Sequence, residues 1–147
     1  MTKSEGGCRC QSVRYAIDGE ALHTSICHCE DCRRSSGAPF VAWCGVKSES
    51  FHLLKGKPRR WTVDGKALRY FCDNCGTGLY YINEEVLPGL VDVQVATLDN
   101  PEDWPPQLQV QVAEKLKWID AAMSSSEYER YPHFPSGVDS ADKPGNC

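Results

Sequence analysis

Trp61-Thr62-Val63, Asp64-Gly65, Ala67-Leu68-Arg69-Tyr70-Phe71, Cys72-Asp73-Asn74-Cys75-Gly76 and Gly78-Leu79-Tyr80-Tyr81-Ile82 follow one another along the chain. Two short runs rich in aromatic and branched side chains flank Asp-Gly, a good hairpin turn dipeptide. A Cys-x-x-Cys-Gly turn comes next, and then a third strand-length run. Two residues between thiols let the chain turn so that both sulfurs face one ion, and a following glycine can take the positive φ such a turn often needs. The stretch therefore predicts a β-meander interrupted by a metal knuckle.

Working outward, the same pattern recurs. Ser12 to Ile17 alternates Val13, Tyr15 and Ile17 with polar residues, and Asp18-Gly19 reads as a turn. Leu22 to Cys27, Phe40 to Val46, Phe51 to Leu54, Leu90 to Ala96 and Gln107 to Val112 are further strand candidates. Helical signals are few and brief. Glu30 to Ser36 is stopped by Gly37, Pro101 opens a turn before Trp104, and Ser124 to Tyr131 reads as a short helix capped by Ser125 or Ser126. Many short strands without long helical periodicity predict a mainly-β fold of short antiparallel sheets with few short helices. One domain over residues 1–134 is expected. Residues 135–147 are a polar tail containing Gly and Pro, expected to be disordered.

Nine cysteines are the compositional anomaly. Seven fall in three clusters: Cys8-Arg9-Cys10, Cys27-His28-Cys29-Glu30-Asp31-Cys32, and Cys72-Asp73-Asn74-Cys75. Pairs this close rarely form structural disulfides, because the loops they close are strained; metal ligation explains the spacing. On an extended segment residues i and i+2 point to one side, so Cys8 and Cys10 facing the Cys72/Cys75 knuckle would supply four sulfurs to a closed structural zinc site. Cys27, Cys29 and Cys32 offer three ligands, which would leave a second, catalytic zinc one open position. His28 or Cys44 could instead close that site, and spacing alone leaves swapped pairings among the three clusters open. Arg33 and Arg34 follow Cys32. Arg33 in particular could grip a carboxylate of an acidic, thiol-bearing small molecule, or the two could be solvated and offset thiolate charge. Cys44 sits in an apolar run and reads as core. His23, His52 and His133 stand alone and are not expected to be ligands, and Cys147 is expected to be idle.

Length and charge narrow the class. With 147 residues the chain can bury a real core. Its formal charge of −4 shows no basic excess that would point to DNA or RNA. No apolar run is long enough to span a membrane. Met1 to Gly7 lacks the apolar stretch of a secretory signal, so a cytoplasmic protein is expected.

The motifs together carry a resemblance. Gly6-Gly7-Cys8-Arg9-Cys10 leading into Val13-Arg14-Tyr15, Cys27 to Arg33 with Ser36-Gly37, Arg69 to Leu79, Ala96 to Pro101, and Glu114 to Trp118 followed by Tyr131-Pro132 resemble the glutathione-dependent formaldehyde-activating enzyme family, which shares its domain with centromere protein V. The resemblance implies an Mss4-like fold of sheets around a structural zinc. It also implies Cys8, Cys10, Cys72 and Cys75 on that zinc, with Cys27, Cys29 and Cys32 on the second. The implied activity joins glutathione to formaldehyde as S-(hydroxymethyl)glutathione, a carbon–sulfur lyase reaction when written in reverse. The centromere relative implies an alternative, a non-catalytic zinc-stabilised binding module. A thiol redox or zinc-buffering role for the Cys27 cluster is a third. In one place the chain departs from the pattern: Gln109-Val110 stands where the family often has His-Ile.

Overall fold

The computed structural model describes residues 3–132. The expected disordered tail, with Cys147, and His133 lie outside the described residues. The chain divides into two compact units, one up to Leu116 and one from Lys117.

The first unit is mainly β, built as two sheets. The smaller sheet has the order β1-β2-β5, from Lys3–Gly7, Arg14–Asp18 and Phe51–Lys55. The larger contains seven strands: β3 His23–Cys27, β4 Val41–Lys47, β6 Arg59–Trp61, β7 Leu68–Phe71, β8 Gly78–Ile82, β9 Leu90–Gln94 and β10 Leu108–Val110. Their order is β10-β3-β4-β9-β8-β7-β6. All pairs are antiparallel except β10 on β3, which is parallel with Gln109 opposite Ile26.

Alternation along the strands decides what each face buries. Tyr15 and Ile17 of β2, with Phe51 of β5, pack against Cys44 and Val46 of β4, Val91 and Val93 of β9, and Tyr80 of β8. That layer is the main core. The opposite face of the large sheet carries Cys27, Val41 and Trp43, which cluster with Cys32 of the helix α1, Glu30–Ser36. Central β4 is thus buried on both faces, which is why its sequence reads as an unbroken apolar run. Cys44 is fully buried in the main core, and burial pushes its thiol up to about 12.

Most local expectations hold, two do not, and one strand was not foreseen. β1 has no alternating apolar pattern, and only its pairing with β2 makes it a strand. No helix forms over Ser124 to Tyr131; in the second unit the helix α2 spans Ile119–Ala122 instead. Ser125 does not cap a start but closes an end, its hydroxyl donating to the Ala122 carbonyl at 2.7 Å. Cys8 and Cys10 sit not on an extended strand but in a turn after β1, where Gln11 takes φ 62°.

The β1–β2 hairpin is held to the 99–104 segment by charge. Arg14 donates to both carboxylate oxygens of Asp99, at 2.8 and 2.5 Å, and lies 3.6 Å from Glu5. The Arg14 guanidinium holds the Asp99 carboxyl below its ordinary range. A lowered folded-state pKa contributes stability above the unfolded value and loses it as pH falls through the folded one. Asp99 is 46% exposed, so solvent screening limits the pair to about 1 kcal/mol or less. Asp99→Asn is therefore expected to lower unfolding free energy by that amount at pH 7. The gap to the unmodified protein should shrink as pH falls below about 4, which paired urea titrations at each pH would measure.

Candidate metal centres and the adjoining cavity

The seven clustered cysteines form two groups, Cys8 with Cys10, Cys72 and Cys75, and Cys27 with Cys29 and Cys32. Within each group the sulfurs lie within 4.8 Å of one another. Each group could hold a metal ion.

The four-sulfur group joins the turn after β1 to the turn between β7 and β8. Local bonding shapes both turns. Gly76 N–H donates to the Cys72 carbonyl at 2.8 Å, and Gly76 takes φ 75°, the positive value the knuckle needs. Cys8 N–H donates to the Val13 carbonyl at 3.1 Å. Donors already surround the sulfurs: Val13 N–H reaches Cys8 Sγ at 3.2 Å, and Asn74 Nδ2 reaches Cys10 Sγ at 3.2 Å. Ser12 Oγ lies 3.0 Å from Cys10 Sγ and 3.2 Å from Cys72 Sγ. The Ser12 hydroxyl, and after it Asn74, draw the Cys10 thiol down to about 5. Four converging sulfurs with hydrogen-bond donors turned toward them suit a thiophilic, four-coordinate ion.

The three-sulfur group sits on the opposite face of the large sheet from the main core. Cys27 ends β3, Cys29 is the N-cap of α1, and Cys32 is in its first turn. The Cys29 backbone is extended, and its Sγ accepts from Cys32 N–H at 3.2 Å, so a thiol does the work usually given to a serine or aspartate cap. The Cys32 thiol is drawn down to about 5, first by a hydrogen bond from Cys27 and also by Arg69, against the opposing effect of burial. Cys27, which donates that bond, is correspondingly raised.

Neither alternative closing ligand belongs to this group. Cys44 faces the main core, one residue out of phase with Trp43. The His28 nitrogens are not within the grouping distance of all three sulfurs. Nε2 of His28 donates to Gln109 Oε1 at 2.8 Å, and its buried Nδ1 makes no hydrogen bond among the described residues. The residue that departs from the family pattern therefore fixes the ring of the histidine between two of the cysteines.

Arg33 uses Nε on the His28 carbonyl at 3.1 Å and Nη2 on the Glu114 carbonyl at 3.4 Å. It ties α1 to the segment after β10, and its Nη1 makes no hydrogen bond among the described residues. Glu114 reinforces the tie, its carboxylate accepting from Glu30 N–H at 2.6 Å.

The arginine nearest the sulfurs is Arg69, which sequence reasoning quoted only as part of a motif. It is 9% exposed. Its Nη2 lies 3.5 Å from Cys32 Sγ, and it is ion-paired to Asp31 Oδ2, with Nε at 3.1 Å from that oxygen. The guanidinium also stacks over the Tyr81 ring, 5.0 Å from its centroid. An arginine inside the apolar strand Leu68–Phe71 is itself a flag, since charged residues are rarely buried without a partner. A cavity of about 510 Å³ opens beside it, reaching Asp31 and Ser35 of α1 on one side and Gly76 on the other.

Residues 3–114 match the model of the family described as glutathione-dependent formaldehyde-activating enzyme. The chain belongs to this family. The match ends two residues short of the first unit's boundary at Leu116. An uncharacterized lyase of Schizosaccharomyces pombe is 30% identical over 116 residues, covering 69% of this chain and 84% of that protein. A crystal structure of a Rhodobacter sphaeroides protein, solved as a structural genomics target, superposes with a TM-score of 0.59 at 21% identity, over 72% of this chain and 99% of that one. That last likeness is one of fold.

Proposed function

We propose that the protein is a zinc-dependent carbon–sulfur lyase-type enzyme that joins or splits a small thiol and an aldehyde, in the manner of an S-(hydroxymethyl)glutathione synthase. One observation carries this reading: three sulfurs converge with no fourth ligand grouped with them among the described residues, beside Arg69, which lines a cavity. The family description and the lyase-named relative point the same way. In this reading Cys8, Cys10, Cys72 and Cys75 hold a structural zinc, and Cys27, Cys29 and Cys32 hold a second with an open position. Zinc bound there would keep an incoming thiol, such as glutathione, ionised at neutral pH.

The chain's own residues do the rest. Arg69 sets the position of Cys32 and, through Asp31, the start of α1. Trp43 and Tyr81, with ring centroids 6.2 Å apart, wall the site from water on the sheet side. The spare nitrogen of Arg33 is available to a glutathione carboxylate. Holding thiol and carbonyl together supplies most of the acceleration for so easy a step. Seven clustered free thiols also fit a reducing, cytoplasmic setting. No helix among the described residues is long and apolar enough to cross a membrane.

The test is spectroscopic. Protein loaded with cobalt(II) in place of zinc should shift its thiolate–metal absorption when millimolar glutathione is added, as the added sulfur enters the open position. An unchanged spectrum at saturating thiol would exclude an open site and favour a module with two structural metals.

A further inference from the structure

Resting on the reaction above, we propose that the aldehyde partner carries a large aromatic or apolar group, seated in the cavity beside Cys32. Formaldehyde is then not the compound for which the site is built.

The cavity adjoins the three-sulfur group through two shared neighbours, although none of the three cysteines lines it. Arg69 lines it and touches Cys32, and Trp43 lines it while packing with Cys27 and Cys32. Its volume of about 510 Å³ lies within the range of sites that bury whole organic ligands, roughly 300–1,000 Å³. A one-carbon aldehyde would leave almost all of it empty.

The walls say what fills it. Trp43, Trp61, Tyr70 and Tyr80 line the space. Tyr70 and Tyr80 stack with centroids 4.4 Å apart and planes within 13°, and Tyr80 is backed by Phe51 at 4.7 Å. The stacked pair is thus fixed before any ligand arrives. Trp61, 51% exposed on edge strand β6, forms the outer lip. Such a large apolar side chain left in solvent beside a cavity is suited to cover a ring.

The polar groups do not favour glutathione as the occupant. Its two carboxylates would need free cations, but Arg69 is paired with Asp31, and Arg34 with Glu30 at 2.7 Å. The side-chain amide of Gln94, by contrast, makes no hydrogen bond among the described residues, and its Nε2 lies over Gly78, where an added Cβ would stand 2.6 Å from it. One free amide in an aromatic cavity fits a mostly apolar ligand with a single polar group. The thiol then approaches from the Arg33 side and the aldehyde's substituent from the aromatic side.

The step balances without an oxidant or reductant. The thiol sulfur bonds to the carbonyl carbon, the π pair moves to oxygen, and that oxygen takes the proton the thiol released. Splitting reverses each change.

The experiment measures exchange between free aldehyde and its glutathione adduct by carbon-13 exchange spectroscopy on the labelled carbonyl carbon, using the full-length zinc-loaded protein. Benzaldehyde and formaldehyde are run side by side, each against a protein-free control. Burying a phenyl-sized group is worth about 10- to 100-fold, so catalysed exchange per protein should favour benzaldehyde over formaldehyde by at least about tenfold. Trp61→Ala should cut that preference by about tenfold, and Trp61→Phe should restore most of it. Acceleration of formaldehyde with none for benzaldehyde would overturn the substrate class and leave the reaction standing. Acceleration of neither would overturn both. A preference for benzaldehyde that Trp61→Ala leaves intact would overturn the cavity as its cause.

Discussion

Replacing Cys75 by serine is expected to lower the unfolding free energy by about 5 kcal/mol, enough to leave much of the chain unfolded at 37 °C. The side chain is exposed, and serine has nearly its shape, so no core packing is lost. Away from a special feature, a surface exchange of this kind changes stability by less than about 0.5 kcal/mol. Any large loss must therefore come through a bound ion. Structural zinc contributes about 10–16 kcal/mol in small domains that depend on it, while a whole domain is stable by only about 5–15 kcal/mol. Here the four sulfurs also clamp together segments 62 residues apart, at Cys10 and Cys72. The clamp fixes the end of the small sheet against the β7–β8 turn of the large one. The main core of Tyr15, Ile17, Val46, Val91 and Val93 remains in the variant, so partial structure should survive. Guanidinium titrations of both proteins, with and without a chelator, provide the measurement. A change under 1 kcal/mol for Cys75→Ser, with no effect of chelator on the unmodified protein, would show that the four thiols hold no stabilising metal.

What the sequence disclosed was local, and what it withheld was mostly long-range. Glu30 to Ser36 with Gly37 beyond it, and Gly78 to Ile82, match their elements to the residue because caps and alternation lie within the segment itself. The three cysteine clusters were legible for the same reason, since short spacings limit where neighbouring sulfurs can point, but spacing left open which clusters join, and only the family resemblance implied the pairing of Cys8 and Cys10 with Cys72 and Cys75. Lys3–Gly7 carries no such signal and is a strand only because Arg14–Asp18 lies beside it. The serines at 124–126 suggested a helix start, but Ile119–Ala122 formed the helix and left them after its end. Cys8 and Cys10 converge through a turn at Gln11, although strand geometry would also have aligned them. The role of Arg69 depends on Asp31, 38 residues away, and that of Gln109 on His28, 81 residues away across the parallel β10–β3 pair. No periodicity in one sequence reports such contacts. A charged residue within an apolar strand, and a glutamine where the family often has histidine, were the available hints that these positions mattered.

Cys29→Ser is expected to reduce catalysed thiol–aldehyde exchange by about 100-fold or more while changing stability by no more than about 1 kcal/mol. The two halves of this prediction have separate causes. Changes to residues that merely support metal ligands already cost about 10- to 100-fold in affinity or activity, so loss of a ligand should cost at least as much. Stability is protected by position. Cys29 is the N-cap of α1, where its sulfur accepts from Cys32 N–H, and serine is among the best residues for that task. The helix should therefore keep its start, its Gly37 stop and the Glu114 carboxylate on Glu30 N–H. Metal counting separates the outcomes further: the variant should lose one zinc per chain and retain the other, whereas Cys75→Ser should lose the structural ion. If Cys29→Ser unfolds the protein as readily as Cys75→Ser, both clusters are structural and the open site does not exist. If it keeps two metals and full activity, the chemistry lies outside the Cys27, Cys29 and Cys32 group.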